Sequence, residues 1–274
     1  IARKSLFGVQ GPGYLIKCMN ETAAFPTLRM TIPDDEPLAR QLTHEHRISF
    51  GDRCKICIWL GEYAIERGST ATGKEILRIF ANMAIEELRR SESTVPLMLA
   101  VQFPIHLLNN ELLAEAIEIE KLLEPRIQAT GSREEKYLHA IYGLRIAAKA
   151  NNPKEAQLKG CAAIAVLHSL IGKETSVNTE TITRVNSLLS AGKHEQAREA
   201  LSKTVEDLIA DKTDSRRHST PKRDIHAPKA RMMLLQISLQ SCNMAIQAAK
   251  LGEAEQAMRD SLLSWRAFNE STHF

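Results

Sequence analysis

Apolar residues recur along most of the chain at the three- and four-residue intervals of an amphipathic helix. In residues 71–90, for example, Ile76, Phe80, Met83 and Ala84 fall on one helical face. Short polar stretches with Gly, Pro or Asn separate such segments and indicate helix ends. The pattern predicts about eleven helices, at 38–48, 52–67, 71–90, 94–109, 111–123, 132–150, 154–171, 178–189, 194–210, 230–251 and 253–268.

The links between these helices are mostly a few residues long, which favours antiparallel neighbours. Three joints, at about residues 152, 192 and 252, share a pattern. Each ends one helix in a small polar turn and starts the next with a charged turn and alanines at helical spacing. The sequence therefore predicts an all-α fold, an antiparallel stack of tetratricopeptide-like hairpins without a regular repeat.

Residues 1–35 differ from the rest of the chain. They hold three of its 13 Gly and three of its 10 Pro, and they show no helical period. We expect an irregular N-terminal arm at 1–35, a single α-helical domain at 36–274 and a loop at 212–229.

Charge is spread unevenly along the chain. The formal net charge is +3, but residues 212–231 hold seven Lys and Arg against two Asp, so the remaining residues sum to −2. Ser, Thr and Pro in this stretch predict a basic loop rather than a helix. Its candidate partner-binding residues are Arg216, Arg217, Lys222 and Arg223, which suit an acidic protein surface.

Nucleic acid is the less favoured partner for this basic segment. A dedicated nucleic-acid-binding domain usually has a more basic balance than +3. Single-stranded binding also uses aromatic side chains that stack on bases, and 212–231 contains none. A protein partner is therefore the prediction, with nucleic acid as an alternative.

His44, His46, Cys54 and Cys57 form the sharpest candidate metal constellation, because two imidazoles and two thiols are a common set of zinc ligands. The thiols, however, stand at i, i+3 on the apolar side of a predicted helix. The favoured interpretation is two core cysteines near an exposed histidine pair, and we expect neither a metal nor another cofactor.

No catalytic residues are predicted. The sequence has no nucleophile elbow, no dinucleotide-binding glycine pattern and no serine–histidine–aspartate spacing. Five scattered cysteines are typical of a reducing compartment. The chain shows neither an apolar run long enough for a membrane span nor a signal-peptide core near residue 1, so we expect a cytoplasmic protein without membrane contact.

The layout resembles the immunity-49 family of bacterial polymorphic-toxin systems. The resemblance covers roughly residues 50–250 and lies in three stretches: VPLMLAVQFPIHLLNNELLAEAIEI (95–119), EEKYLHAIYGLRIAAKANN (134–152) and RVNSLLSAGKHEQAREALSKTVEDL (184–208). It implies a mostly α-helical cytosolic protein that binds a cognate secreted toxin and blocks it by occlusion.

The function expected from these observations is non-enzymatic binding of a protein partner, as an immunity protein. A tetratricopeptide-like adaptor or regulatory scaffold that binds a peptide or protein is the first alternative, and a nucleic-acid-associated protein is the second. An enzyme built around His44, Glu45, His46, Cys54 and Cys57 is the least favoured.

Overall fold

The computed structural model of the chain describes residues 48–90, 93, 95–171, 180–217 and 227–273. The predicted irregular arm at 1–35 and nearly all of the predicted helix at 38–48 lie outside these residues. The same holds for residues 218–226 of the predicted basic loop.

The described residues form helices joined by turns and contain no strand. The helices are α1 (Phe50–Glu66), α2 (Thr70–Leu88), α3 (Leu97–Ala100), α4 (Phe103–Asn109), α5 (Leu113–Thr130), α6 (Arg133–Lys149), α7 (Pro153–Ile171), α8 (Glu180–Ser190), α9 (His194–Arg217), α10 (Ala227–Lys250) and α11 (Ala254–Ser271). The predicted all-α fold of antiparallel hairpins is confirmed. Within these ranges, no helix has both the length and the apolar character needed to cross a bilayer.

Contacts within the chain group into two compact units, 1–123 and 124–274, with the boundary inside α5. In the first unit α1 and α2 form an antiparallel hairpin, and α4 packs on α2. The rings of Phe80 and Phe103 meet edge to face at a centroid distance of 5.0 Å, the geometry that aromatic pairs favour. The sequence predicts one helical domain over 36–274, and that remains a prediction.

The hairpin of α1 and α2 depends on a close approach of the two backbones at Gly61 and Gly73. A Cβ atom on Gly73 would lie 2.5 Å from the carbonyl oxygen of Gly61 and 2.5 Å from Cγ1 of Ile65. Backbone atoms have little freedom to move away, so only glycine fits at position 73 without a shift of one helix.

Helix α6 is the centre of the second unit. Its residues 137–148 are all buried, and it packs on α7, α10 and α11. Ser132 caps its first turn in a capping box with Glu135, which satisfies two backbone N–H groups at the helix start. A helix that is buried on every side organises the elements around it rather than facing solvent.

A triangle of buried hydroxyl groups ties α6 to α10 and α11. The Tyr137 hydroxyl lies 2.9 Å from Oγ of Ser238 and 2.9 Å from Oγ of Ser264. Ser264 also donates to the backbone carbonyl of Ser238 at 2.7 Å. Burial raises the pKa of Tyr137 well above its ordinary value, so the phenol stays protonated and available as a donor.

The three predicted hairpin joints have the same backbone geometry. Each helix ends at a residue with positive φ, namely Asn151 (53°), Gly192 (72°) and Gly252 (78°). The next N–H then bonds to a carbonyl five residues back, in the pattern of a Schellman cap. These 2.9 Å bonds run from Asn152 to Ala147, from Lys193 to Leu188 and from Glu253 to Ala248.

Small residues pack where two of these joints meet, as the sequence pattern predicts. Six buried alanines form one cluster: Ala147, Ala148, Ala156, Ala248, Ala249 and Ala257. They come from the facing ends of α6, α7, α10 and α11. Since alanine side chains are short, the helix ends approach closely, and the joint between α6 and α7 packs beside the joint between α10 and α11.

The predicted end of α5 before Pro125 is wrong, because the helix continues through this proline to Thr130. Ile119, Leu123 and Ile127 continue one apolar stripe across it, and all three are fully buried. Burial of Ile127 contributes about 1.5–3 kcal/mol. A proline inside a helix removes one hydrogen bond and costs about 3 kcal/mol. The burial energy of Ile127 offsets most of this cost.

The single helix predicted at 94–109 is also wrong. Two helices, α3 and α4, occupy this stretch, with Val101 and Gln102 between them. Pro104 lies in the first turn of α4. Its ring would clash with the carbonyl of Ala100 in a continuous helix, so the chain interrupts the helix there.

The basic loop predicted at 212–229 is wrong at both ends. Helix α9 extends to Arg217, and α10 begins at Ala227. Lys and Arg are good helix formers, so this basic stretch can continue a helix. Pro228 stands in the first turn of α10, where a proline removes no internal hydrogen bond.

Substitution of Gly73 by Ala is expected to lower the free energy of unfolding. On helix propensity alone the change would stabilise α2 by about 1 kcal/mol. The clash with the Gly61 carbonyl reverses the sign, with a net loss of about 1–3 kcal/mol. Urea denaturation of the variant and the wild type measures this difference. An unchanged or raised unfolding free energy for Gly73→Ala would contradict the close contact.

Candidate functional site

The hairpin of α8 and α9 presents the candidate site, and its buried side explains its orientation. Ile182 and Val185 of α8 lie in one core cluster with Ala197, Leu201 and Val205 of α9. The same cluster includes residues of α10 and α11. Because these apolar stripes face the core, the opposite stripes of α8 and α9 face outward together.

A groove runs between the outward faces of α8 and α9. It has a volume of about 630 Å³. On α8 the lining residues recur at one-turn spacing, and on α9 they form a second row over three turns. The lining comprises Glu180, Thr181, Arg184 and Leu188 of α8, together with Gln196, Glu199, Ala200, Lys203, Thr204 and Asp207 of α9.

The floor of this groove is apolar and its rims are charged. Leu188 and Ala200 are half-buried and pack against the core cluster below. Glu180, Arg184 and Glu199 are exposed along the rims. An apolar floor with a polar, accessible rim is the usual anatomy of a protein-binding surface.

The charges of the groove stay unpaired although opposite charges are neighbours. Glu180 and Arg184 stand at i, i+4, and so do Glu199 and Lys203, and then Lys203 and Asp207. None of these five side chains forms an ion pair within the described part of the chain. Such spacing normally permits a pair on a helix surface, so these groups remain available to charges from outside the chain.

Neighbouring charges do pair on other helices. Arg90 bonds to Glu87 at 2.9 Å, and Lys55 lies 3.5 Å from Asp52. Arg89 and Glu118 form a pair at 2.6 Å between two helices of the first unit. The groove therefore differs from these other charged faces, because its charged side chains form no ion pairs within the described residues.

A buried ion pair joins α9, which forms one wall of the groove, to α11. Arg198 of α9 donates from Nε to Oδ1 of Asp260 on α11 at 2.5 Å, and Asp260 is 1% exposed. Gln256 donates to the second carboxylate oxygen at 3.2 Å, and Glu195 bonds to Nη1 of Arg198. Burial raises the pKa of Asp260, and the guanidinium of Arg198 opposes that rise.

The predicted partner-binding residues come after the groove residues in the chain, either at the C-terminal end of α9 or after that helix. Arg216 and Arg217 belong to the last turn of α9, and their side chains lie outside the described residues. Lys222 and Arg223 also lie outside the described residues. The groove itself was missed in the sequence, although its signal is present as charged residues at one-turn spacing in 180–188 and 196–207.

The candidate metal ligands are only partly described. His44 and His46 lie outside the described residues, whereas Cys54 and Cys57 are fully buried on the core side of α1. Burial raises the pKa of Cys54, and it raises the pKa of Cys57 to about 12. Both thiols are therefore protonated at neutral pH, which suits core packing better than metal binding or nucleophilic attack.

Two histidines are held by carboxylates inside their own units. Nδ1 of His106 lies 3.0 Å from Oε1 of Glu62 in the first unit. In the second unit, Nδ1 of His139 lies 3.6 Å from Oε2 of Glu124. Both imidazoles are buried, so they belong to the interiors of their units rather than to an exposed site.

Glu124 also bonds to the ammonium group of Lys159, which is nearly buried. Gln128 donates to the other carboxylate oxygen at 2.9 Å. Burial raises the pKa of Glu124, but the hydrogen bonds from Lys159 and Gln128 and the nearby His139 outweigh it and lower the pKa. The carboxylate is thus matched by the ammonium of Lys159 in the chain itself, which indicates a structural role.

Comparison with protein-family models, with curated proteins and with solved structures finds no match for this chain. The resemblance to the immunity-49 family remains a prediction.

Replacement of Asp260 by Ala is expected to lower the free energy of unfolding by about 3 kcal/mol or more, since Arg198 would lose its main partner in a buried site. Urea denaturation measures the loss. The double variant Arg198→Met/Asp260→Leu should recover much of it, because two apolar side chains leave no charge uncompensated.

Arg266 and Glu206 supply a matched control, since they join the same two helices at 3.4 Å but in solvent. Arg266→Ala should cost less than about 1 kcal/mol. Equal losses for Asp260→Ala and Arg266→Ala would contradict the anchoring role of the buried pair.

Replacement of Glu124 by Gln is expected to destabilise the chain at pH 7 and not at pH 3. The lowered pKa means that the folded state holds the ionised carboxylate more tightly than the unfolded state. This stabilisation is present above about pH 4.3 and is lost as the pH falls through the folded pKa. Screening by solvent limits it to about 1 kcal/mol.

Urea denaturation of Glu124→Gln and the wild type at pH 7, 5 and 3 measures this dependence. Glu155→Gln is the control, because Glu155 lies 3.9 Å from the same ammonium and is more exposed. If Glu124→Gln lowers the free energy of unfolding by as much at pH 3 as at pH 7, the ionised carboxylate of Glu124 is not the source of the stabilisation.

Proposed function

We propose that this chain is a non-enzymatic protein-binding protein, and that the groove between α8 and α9 holds a segment of its partner. The single observation that carries this proposal is the groove itself, an apolar floor beneath unpaired charges of both signs. Apolar contact supplies affinity, and the charges select the partner and orient it.

The finer proposal is that the partner is a toxin and the chain is a bacterial immunity protein acting in the cytoplasm. The layout of 95–119, 134–152 and 184–208 supports it through the family resemblance, and the last of these stretches contains most of the groove. In this function, a rigid helical surface would cover the active site of the toxin, so inhibition requires no catalysis by the chain itself.

A tetratricopeptide-like adaptor is the second candidate, and the arrangement of α8 and α9 as an antiparallel hairpin favours it. An adaptor would use the same groove for a partner whose activity it does not block. Cell growth separates the two candidates, because only an immunity protein rescues bacteria that produce the captured partner.

Reversal of two groove charges, Arg184→Glu with Lys203→Glu, is expected to raise the Kd for the native partner about tenfold or more. The partner is first captured from cells of the source organism and identified by mass spectrometry. Interferometry with the purified partner then compares the variant with the wild type.

Lys149→Glu with Lys154→Glu is the matched control, since it makes the same change in net charge at two exposed positions outside the groove. It should leave the Kd within about twofold of the wild-type value. The proposal fails if no protein is captured in stoichiometric yield, or if both double variants bind the partner equally well.

A further inference from the structure

The groove between α8 and α9 also indicates which kind of segment it binds. We propose that the bound segment is an amphipathic α-helix of the partner that carries charges of alternating sign at one-turn spacing. This inference rests on the proposed function, because it specifies the partner segment for the same groove.

The walls of the groove offer few main-chain hydrogen bonds. Both walls are helices, and beyond the first turn of each their backbone N–H groups bond within the helix. An extended segment gains its affinity from a sheet edge, where free backbone groups pair with its own. In this groove an extended segment would find few such partners along most of its length, whereas a helix satisfies its own backbone.

The floor admits the close approach of a helix. Ala200 and Thr204 stand one turn apart on α9, and both are half-buried with short side chains. Leu188 of α8 lines the groove about one turn from Ala200, on the side of the turn at 191–193. Helices pack at axis distances of about 8–10 Å where the contact residues are small, so an apolar stripe of the partner helix fits between the two rims.

The charges along α9 match the period of a helix. Glu199, Lys203 and Asp207 alternate in sign every four residues, so consecutive charges are about 6 Å apart along the axis. A partner helix that lies nearly along α9 keeps this spacing with Lys, Glu and Lys at i, i+4 and i+8. An extended chain, at about 3.4 Å per residue, would need its charges every second residue and would point them all to one face.

The charges of α8 give the bound helix a preferred rotation about its axis. Antiparallel packing about the turn at 191–193 places Arg184 near the level of Ala200 and Glu180 near the level of Thr204. Arg184 thus lies across from Glu199, and Glu180 lies across from Lys203. The two flanks of the partner helix must therefore carry opposite signs at each level.

Three synthetic peptides of about 18 residues test the proposal, each labelled with a fluorophore for anisotropy titration. The first is an Ala- and Leu-based helix with Lys, Glu and Lys at i, i+4 and i+8 on one flank and Glu, Lys and Glu at matching levels on the other. The second carries Glu, Lys and Glu on both flanks, so that one flank meets like charges whichever direction the peptide lies in. The third is the first with a central Pro, which breaks the helix.

The wild-type chain is expected to bind the first peptide at least about tenfold more tightly than the second or the third. A charge-exchanged groove should reverse the preference between the first two. That variant carries Glu199→Lys, Lys203→Glu and Asp207→Lys, which reverse the charges of the α9 wall alone. The control variant Lys149→Glu/Lys154→Glu should bind all three peptides as the wild type does.

Equal affinities for the three peptides would contradict the proposal that the bound segment is a charge-patterned helix. No saturable binding of the first peptide at millimolar concentration would contradict it as well. So would a charge-exchanged variant that still prefers the first peptide. These outcomes are distinct from failure of the proposed function, which shows as full affinity of Arg184→Glu/Lys203→Glu for the captured native partner.

Discussion

The ion pair between Arg198 and Asp260 fixes the rotation of α9 about its axis. Its atoms lie 2.5 Å apart and are closed off from solvent, so a rotation that separated them would leave a charge uncompensated in a medium of low dielectric, at a cost of several kcal/mol. Arg198 points to α11, and Glu199 and Lys203 consequently face outward. The position of the groove is thus set by a contact on the opposite side of the helix.

The proposed partner helix would repeat a contact that the chain already makes with itself. Helix α8 packs on α9 through Ile182 and Val185 against Ala197, Leu201 and Val205. A helix in the groove would lie on the adjacent stripe of the same two helices, over Leu188 and Ala200. Helix-on-helix packing therefore accounts both for the fold of the second unit and for the proposed mode of recognition.

Local signals in the sequence predict the helices and their joints well, because apolar periodicity and Gly or Asn turns act over a few residues. At Pro125, burial of Ile127 offsets the local cost of the proline, and no local rule predicts that burial. Arg198 and Asp260 are 62 residues apart, so their pairing depends on how hairpins pack. The groove was missed for the same reason, since it exists only when two separately predictable rows of residues lie side by side.

The caps at Asn151, Gly192 and Gly252 complete their hydrogen bonds within six consecutive residues. A turn of this kind needs nothing from the rest of the chain. A gene duplication that copies one hairpin with its cap would therefore add a unit whose backbone is already satisfied. The new hairpin would need only an apolar stripe to pack on, so the length of such a stack is free to vary during evolution while its joints stay the same.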